Sequence, residues 1–202
     1  MPRTASTALT PAGERILLAA GDLFYSHGIR AVGVETIAET AGVTKKTLYD
    51  RFGSKDALVA MYLQRRSDRW RDFVTTRLEQ CTSMPAAARI LAVFDALDEW
   101  SRASSRGCAF VNAYAEIGGT GHPGVDIIRD EKAWTQALYV RLLEEGGVDA
   151  GDAARLGLSL AVLHEGALVM ATAGHQPDAV AHARATADVV LADVFPDAGR
   201  PT

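Results

Sequence analysis

The stretch Val34–Lys55, VETIAETAGVTKKTLYDRFGSK, reads as two short helices joined by a tight turn. Ile37, Ala38 and Ala41 fall at i, i+1 and i+4, so the first helix, Val34 to Ala41, has one apolar face. Gly42 follows at once, where a residue of positive φ ends a helix without steric cost. Thr44 is placed to cap a second helix through its hydroxyl. Leu48 and Phe52, four residues apart, form the narrow inward face of that helix. A turn of about 100° per residue leaves Lys46 and Asp50 on the opposite side, flanked by Thr47 and Tyr49. A short helix with an apolar anchor and an outward polar and aromatic surface suits the base edges of a major groove. Lys45 and Lys46 stand in its first turn, the end that recognition helices direct at bases. Lys55 opens the next helix, and a helix N-terminus with a lysine is a phosphate site on physical grounds. Solvated lysines on a helical corner would account for a lone lysine pair. They do not account for anchor, caps and spacing together.

Residues 14–63 resemble the DNA-binding domain of the TetR family of bacterial transcriptional regulators. The resemblance rests on Ile16-Leu17, Ala19-Ala20, Leu23-Phe24 and Gly28. It continues through Ile37-Ala38, Ala41-Gly42-Val43-Thr44, Thr47-Leu48-Tyr49, Phe52, Ser54-Lys55 and Leu58. It covers about a quarter of the chain without a gap, and beyond residue 70 it implies architecture only. What it implies is an all-α fold: an N-terminal three-helix domain with a helix–turn–helix, joined to a helical ligand-binding and dimerisation domain. The partners it implies are a palindromic operator in double-stranded DNA and a small-molecule effector.

Two positions depart from the family pattern. Gly33 stands at the start of the first helix of the motif, where many relatives have Ser or Thr. Only a backbone N–H is offered there, and Thr36 is the candidate to take over part of that contact. Asp50 stands where an aromatic or basic residue is common. Its carboxylate has two uses, accepting from a cytosine N4 amine or pairing with Lys46 at i, i+4. The spacing favours the pair, and Arg51 is then the candidate to restore a phosphate contact. Arg30, in the loop after the first helix, is a further phosphate candidate. Arg3 belongs to a polar stretch, 1–11, that as an arm would reach the minor groove or a phosphate, though no specific role is the favoured reading. The expected DNA-binding residues are thus Arg30, Thr36, Thr44, Lys45, Lys46, Thr47, Tyr49, Asp50, Arg51 and Lys55.

The 202 residues are 48% hydrophobic and 23% charged, an ordinary globular balance. The net charge of −4 argues weakly against nucleic acid as a partner, but its distribution is uneven. Residues 1–56 hold seven Lys/Arg against six Asp/Glu; residues 57–202 hold fourteen against nineteen. These spans are the expected domains, with the helix–turn–helix at about 34–53 and a long helix, 55–80, joining them. No Gly or Pro interrupts that helix, so movement at one end is expected to reach the other. Cys81 and Cys108 make no disulfide framework and suit a reducing cytoplasm. The N-terminus has no apolar core of an export signal. Leu158–Ala173 is shorter than the ~20 residues of a membrane span and reads as a buried helix.

Further helices are expected at 12–27, 86–103, 108–118, 123–145, 151–173 and 178–195, separated by Gly-, Ser- and Pro-rich turns. No alternating strand pattern and no repeat is present. Gly157, Ala161, Gly166, Ala167 and Ala171, with Ala181, Ala185, Ala187 and Ala192, permit close packing of the last two helices. Leu160, Leu163, Leu168, Val189, Val190 and Phe195 supply apolar area. A two-fold four-helix bundle between two copies is the expectation the family implies, and an intramolecular pair is the alternative. A homodimer would also space two recognition helices by ~34–36 Å to reach successive major grooves.

Aromatic and polar residues in the C-terminal half suggest a ligand pocket, mostly apolar with a few placed polar groups. The candidates are Phe94, Trp100, Phe110, Asn112, Tyr114, Glu116, Trp134, Leu138 and His164. For any one of them, core packing or a surface place is the favoured explanation. Cys108 comes after Gly107 at a helix start, where a thiol is activated, so a redox-sensing regulator is an alternative. His164 and Glu116 as acid and base of an all-helical enzyme form a third, without a nucleophile or metal motif to support it. The five histidines show no metal-ligand spacing, and no cofactor is expected.

Overall fold

The computed structural model describes residues 9–102 and 106–196, so Arg3 and the first eight residues of the expected arm lie outside the described residues. Every regular element among the described residues is a helix. In order they are α1 Pro11–His27, α2 Val34–Thr40, α3 Lys45–Phe52, α4 Lys55–Glu79, α5 Ala86–Arg102, α6 Ala109–Ile117, α7 Gly124–Glu145, α8 Ala150–Thr172 and α9 Ala179–Val194.

Local chemistry accounts for the ends. Thr10 caps α1 by accepting from the Gly13 amide, and Pro11 fills the first helical position, where no N–H is needed. Gly28, at φ 93°, stops α1. Thr44 accepts from the Thr47 amide at 3.1 Å and starts α3. Asp149 accepts from the Gly151 and Asp152 amides and starts α8. Gly33 precedes α2 with no side-chain cap.

The chain packs as two compact units. One runs up to Arg66 and takes in Ala109–Ile128; the other holds Ser67–Cys108 and the chain from Arg129 onward. The packing division differs from the functional one expected at residue 56. The cause is α6 and the start of α7, which group with the first unit although they lie far along the chain, Glu116 of α6 bonding to the loop after α1.

In the first unit, Ile16, Ala20, Ile37, Leu48, Leu58, Val59 and Leu63 are completely buried. Polar ties fix the helices around this core. Arg65 of α4 grips Glu14 of α1 with both guanidinium ends, at 2.6 and 2.9 Å. Arg15 of α1 donates to the Ala41 carbonyl at 3.2 Å, closing the end of α2. Arg66 lies over the Tyr25 ring at 4.9 Å.

In the second unit, α5, α8 and α9 pack together around Ile90, Phe94, Tyr139, Leu142, Leu143, Ala153, Leu160, Ala187 and Leu191. Several small residues expected between two copies face this core instead. Gly157, Ala161, Ala167 and Ala187 are buried within the chain, as is Leu160. Gly157 shows why: a Cβ there would lie 2.5 Å from Val140 Cγ2 and 3.1 Å from the Val140 amide. The glycine lets α8 approach α7. We expect Gly157→Ala to destabilise the chain by about 1–3 kcal/mol through overpacking, read by denaturant unfolding. Adding Val140→Ala should restore part of the loss; no recovery would place the strain elsewhere.

Candidate nucleic-acid interface

The candidate reading surface is built on α3, whose eight residues are too few for a stable helix on their own. Leu48 and Phe52 are 0% and 6% exposed and hold it against the first unit's core. The Thr44 hydroxyl caps its start and touches the Thr47 hydroxyl at 2.9 Å. Gly53, at φ 74°, returns its N–H to the Tyr49 carbonyl and ends it. What remains outward is Lys45, Lys46, Tyr49, Asp50 and Arg51, with Thr47 half-buried. Arg30 and Thr36 are also exposed, so nine of the ten expected residues lie on or beside one helix–turn–helix surface or its approach loop.

The lysines are not idle. Lys46 donates to Asp50 at 2.7 Å, the i, i+4 pair favoured by the spacing. Lys45 pairs with Glu35 of α2, a partner the sequence did not suggest, and lies 6.0 Å from the Tyr49 ring centre. The pairing lowers the Glu35 carboxyl and raises the Lys45 ammonium, chiefly through their shared hydrogen bond. Lys55 is half-buried and donates to the Ile29 carbonyl at 2.6 Å, with the Phe24 ring 6.0 Å away. Its ammonium therefore serves the loop after α1, beyond the phosphate role expected of it.

The expected ligand residues separate into two groups. Phe110, Asn112, Tyr114 and Glu116 lie on α6, in the first unit. Glu116 accepts from the Ile29 amide at 2.9 Å and the Arg30 amide at 2.7 Å, so its carboxylate is already engaged. Tyr114 is exposed. Phe94, Trp100, Trp134, Leu138 and His164 lie in the second unit, where His164 is the hub. Its Nδ1 shares a hydrogen bond with the Tyr139 hydroxyl at 3.0 Å. The rings of Trp70, Phe94 and Tyr139 surround it at 5.9, 6.2 and 6.1 Å. Trp70 also meets Trp100 edge-on at 5.5 Å.

Sequence reasoning missed a polar knot beside these rings. Glu131 is buried, and its Oε2 accepts from the Ser67 hydroxyl and from Arg71 Nε at 2.9 Å. The Arg71 guanidinium lies 5.2 Å from the Trp134 ring. Burial raises the Glu131 carboxyl, against the pull of Ser67 and Arg71. The signal was periodicity: Glu131, Thr135 and Leu138 fall at i, i+4 and i+7 on α7, one buried face.

Burial first, then the charge of Lys132, brings His164 from 6.5 down to about 3. The unfolded chain takes up a proton near 6.5 and the folded chain does not. The contribution is therefore full above pH 6.5 and is lost as pH falls from there toward 3. We expect about 2 kcal/mol of stability to go between pH 6.5 and 5, read by denaturant unfolding. His164→Gln should flatten that dependence. Glu131 titrates in the opposite sense in both proteins, so an unchanged slope in the variant would contradict the assignment.

Comparison with known proteins agrees with this geometry. Residues 16–61 match the family described as bacterial regulatory proteins, tetR family. A TetR-family transcriptional regulator from Streptomyces coelicolor, SCO4454, is 31% identical. The match covers 91% of this chain and 95% of that one, with a TM-score of 0.81. The HTH-type transcriptional activator FasR of Mycolicibacterium smegmatis is 29% identical over 160 residues, 76% of this chain and 70% of the relative. A TetR transcriptional regulator from Legionella pneumophila shares the fold at 18% identity, with a TM-score of 0.77 over 91% of this chain and 98% of that one. These relatives are transcriptional regulators rather than enzymes. With its helix–turn–helix and its second helical unit, the chain belongs to the TetR family of DNA-binding transcriptional regulators.

Proposed function

We propose that the chain is a cytoplasmic, homodimeric repressor that leaves its operator when a small molecule binds its C-terminal region. The observation that carries the DNA half of this reading is the anchoring of α3 by Leu48 and Phe52, which turns Lys46, Tyr49 and Asp50 outward beside the half-buried Thr47. Lys46 and Thr47 read bases, joined by Asp50 where a cytosine N4 amine replaces its lysine partner. Arg30, Thr36, Thr44, Lys45, Tyr49, Arg51 and the N-terminus of α4 at Lys55 meet phosphates and set the register. Division of labour between 1–56 as reading head and 57–202 as sensing and dimerising part belongs to the same proposal, with α6 as the exception.

The outward faces of α8 and α9 support dimerisation. Leu158, Val162, Val169, Met170 and Val189 are 52%, 63%, 44%, 48% and 69% exposed. A groove of about 410 Å³ between the two helices is lined by Val162, Gly166, Met170 and Ala179. Such a contiguous apolar face marks an interaction surface. By length and hydropathy α8 would also suit a membrane span, with a third of its apolar window buried. The second copy of a DNA-binding dimer is the occupant that fits this family. Phe94, Trp100 and His164 belong to one aromatic group, and Trp134 and Leu138 share the second unit with them, which favours a ligand site there. Ligand binding there shifts the populations of two arrangements of the reading heads, and couplings of ~1–3 kcal/mol are typical.

A second reading, regulation through Cys108, has one observation in its favour. Lys132 Nζ lies 3.5 Å from Cys108 Sγ and is held by both oxygens of Glu165, at 2.7 and 2.8 Å. A cation beside a thiol is the setting of reactive cysteines. Cys108→Ser separates the readings: a variant that still responds normally to oxidants removes the second.

Two outcomes check the first reading. Transcription from a promoter carrying the selected operator should fall on addition of the protein and recover with the effector. Enhancement of transcription would instead make it an activator. Val162→Asp with Val189→Asp should yield monomers in sedimentation and weaken operator binding more than 10-fold, since two half-sites are then no longer bound together. Dimers that persist would move the interface elsewhere.

A further inference from the structure

The loop between α1 and α2 is held from two sides. On one side, Glu116 of α6 accepts the Ile29 and Arg30 amides at 2.9 and 2.7 Å. On the other, Lys55 of α4 donates to the Ile29 carbonyl at 2.6 Å. Gly28, just before them, has φ 93°, and a Cβ there would come within 3.0 Å of Glu116 Oε1. The carboxylate therefore lands where the backbone carries no side chain. Ile29 and Val32 are buried and root the loop in the core. A second contact lies nearby: His122, in the turn after α6, accepts from the Gly124 amide through Nδ1, and its Nε2 is 3.5 Å from Asp56 Oδ1. Gly124 packs so close that a Cβ would lie 2.9 Å from Leu63 Cδ1.

Holding this loop has a consequence for the reading head. The loop carries Arg30 and leads into α2, whose first turn has no side-chain cap of its own and depends on the entering backbone. Charge-assisted bonds from a carboxylate to two backbone amides are stronger than neutral ones and fix direction. Yet a carboxylate beside a phosphate-facing loop opposes DNA binding by charge alone. The two effects have opposite signs, so they can be separated.

We propose that Glu116 is a positioning residue for operator binding: it sets the pose of Arg30 and of the start of α2, and through α2 the pose of α3 on DNA. This rests on the DNA-binding role of the first unit and assigns Glu116 to that role instead of to a ligand.

The test uses the full chain, its operator selected from random duplex DNA, and a non-operator duplex of equal length. Affinities of wild type, Glu116→Ala, Glu116→Gln and Gly28→Ala are measured at several salt concentrations. Glu116→Ala should bind the operator about 10-fold more weakly, the loss expected for one or two charge-assisted bonds. Non-operator affinity should hold or rise, because a negative charge has gone. Gly28→Ala disturbs the same contact from the other side without changing charge, and should lower the operator to non-operator ratio likewise. Amide exchange at Ile29 and Arg30 should quicken in both. Should Glu116→Ala fail to fold, Glu116→Gln, which keeps one acceptor oxygen, decides on the same ratio. Operator affinity that rises, or falls in step with non-operator affinity, overturns the positioning role. A wild-type chain that selects no sequence overturns the DNA-binding role as well as this one.

Discussion

The reading head depends on the burial of two side chains. An α-helix of eight residues cannot sustain itself in water, because nucleation costs more than so few hydrogen bonds return. Leu48 and Phe52 supply what α3 lacks, each worth ~1.5–3 kcal/mol of apolar burial. Ile16, Ile37 and Leu58 are completely buried in the same unit, and α1 and α2 both pack with α3. Around this small core the Glu14–Arg65 fork and the Arg15 bond to Ala41 tie α1 to its neighbours. A recognition surface that must stay fixed to discriminate bases is thus held by a frame, not by its own helix.

Charge on this surface is restrained as well. Lys45 and Lys46 each carry a carboxylate partner in the free protein, and Lys55 is bonded to backbone. Exposed pairs of this kind are weak and give way to phosphate. While they last they lower the pull of the head on any stretch of DNA and orient the ammonium groups. The negative balance of residues 57–202 acts in the same direction.

Much of the fold was legible because it is local. Gly28, Gly42 and Gly53 take positive φ where helices stop, and Thr44 caps where its hydroxyl is needed, so helix ends fell within a residue or two of expectation. The Lys46–Asp50 pair was legible for the same reason, being one turn apart. Contacts between distant segments were not. Glu116, close to Phe110 and Tyr114 on the chain and with His164 in the distance, resembles a polar group in an aromatic pocket. Its amide partners lie 87 and 86 residues away. The Lys45–Glu35 pair crosses from one helix to another and leaves no periodic trace. Which small residues of α8 serve the chain's own core was not legible, because the helix is apolar over most of its length. Small residues there serve the approach of α7 as well as they would serve a second copy, and only the packing of Gly157 against Val140 tells the two apart.

The central claim is that two copies of α3, each anchored by Leu48 and Phe52, read a symmetric site. Selection of bound sequences from a random duplex pool, with salt titration of the winner, meets it directly. The predicted result is an enriched palindrome with half-site centres about 34–36 Å apart, bound by two chains, with affinity that falls steeply as salt rises. Failure to enrich any sequence, or a winner bound no better than random duplex at physiological salt, would contradict it.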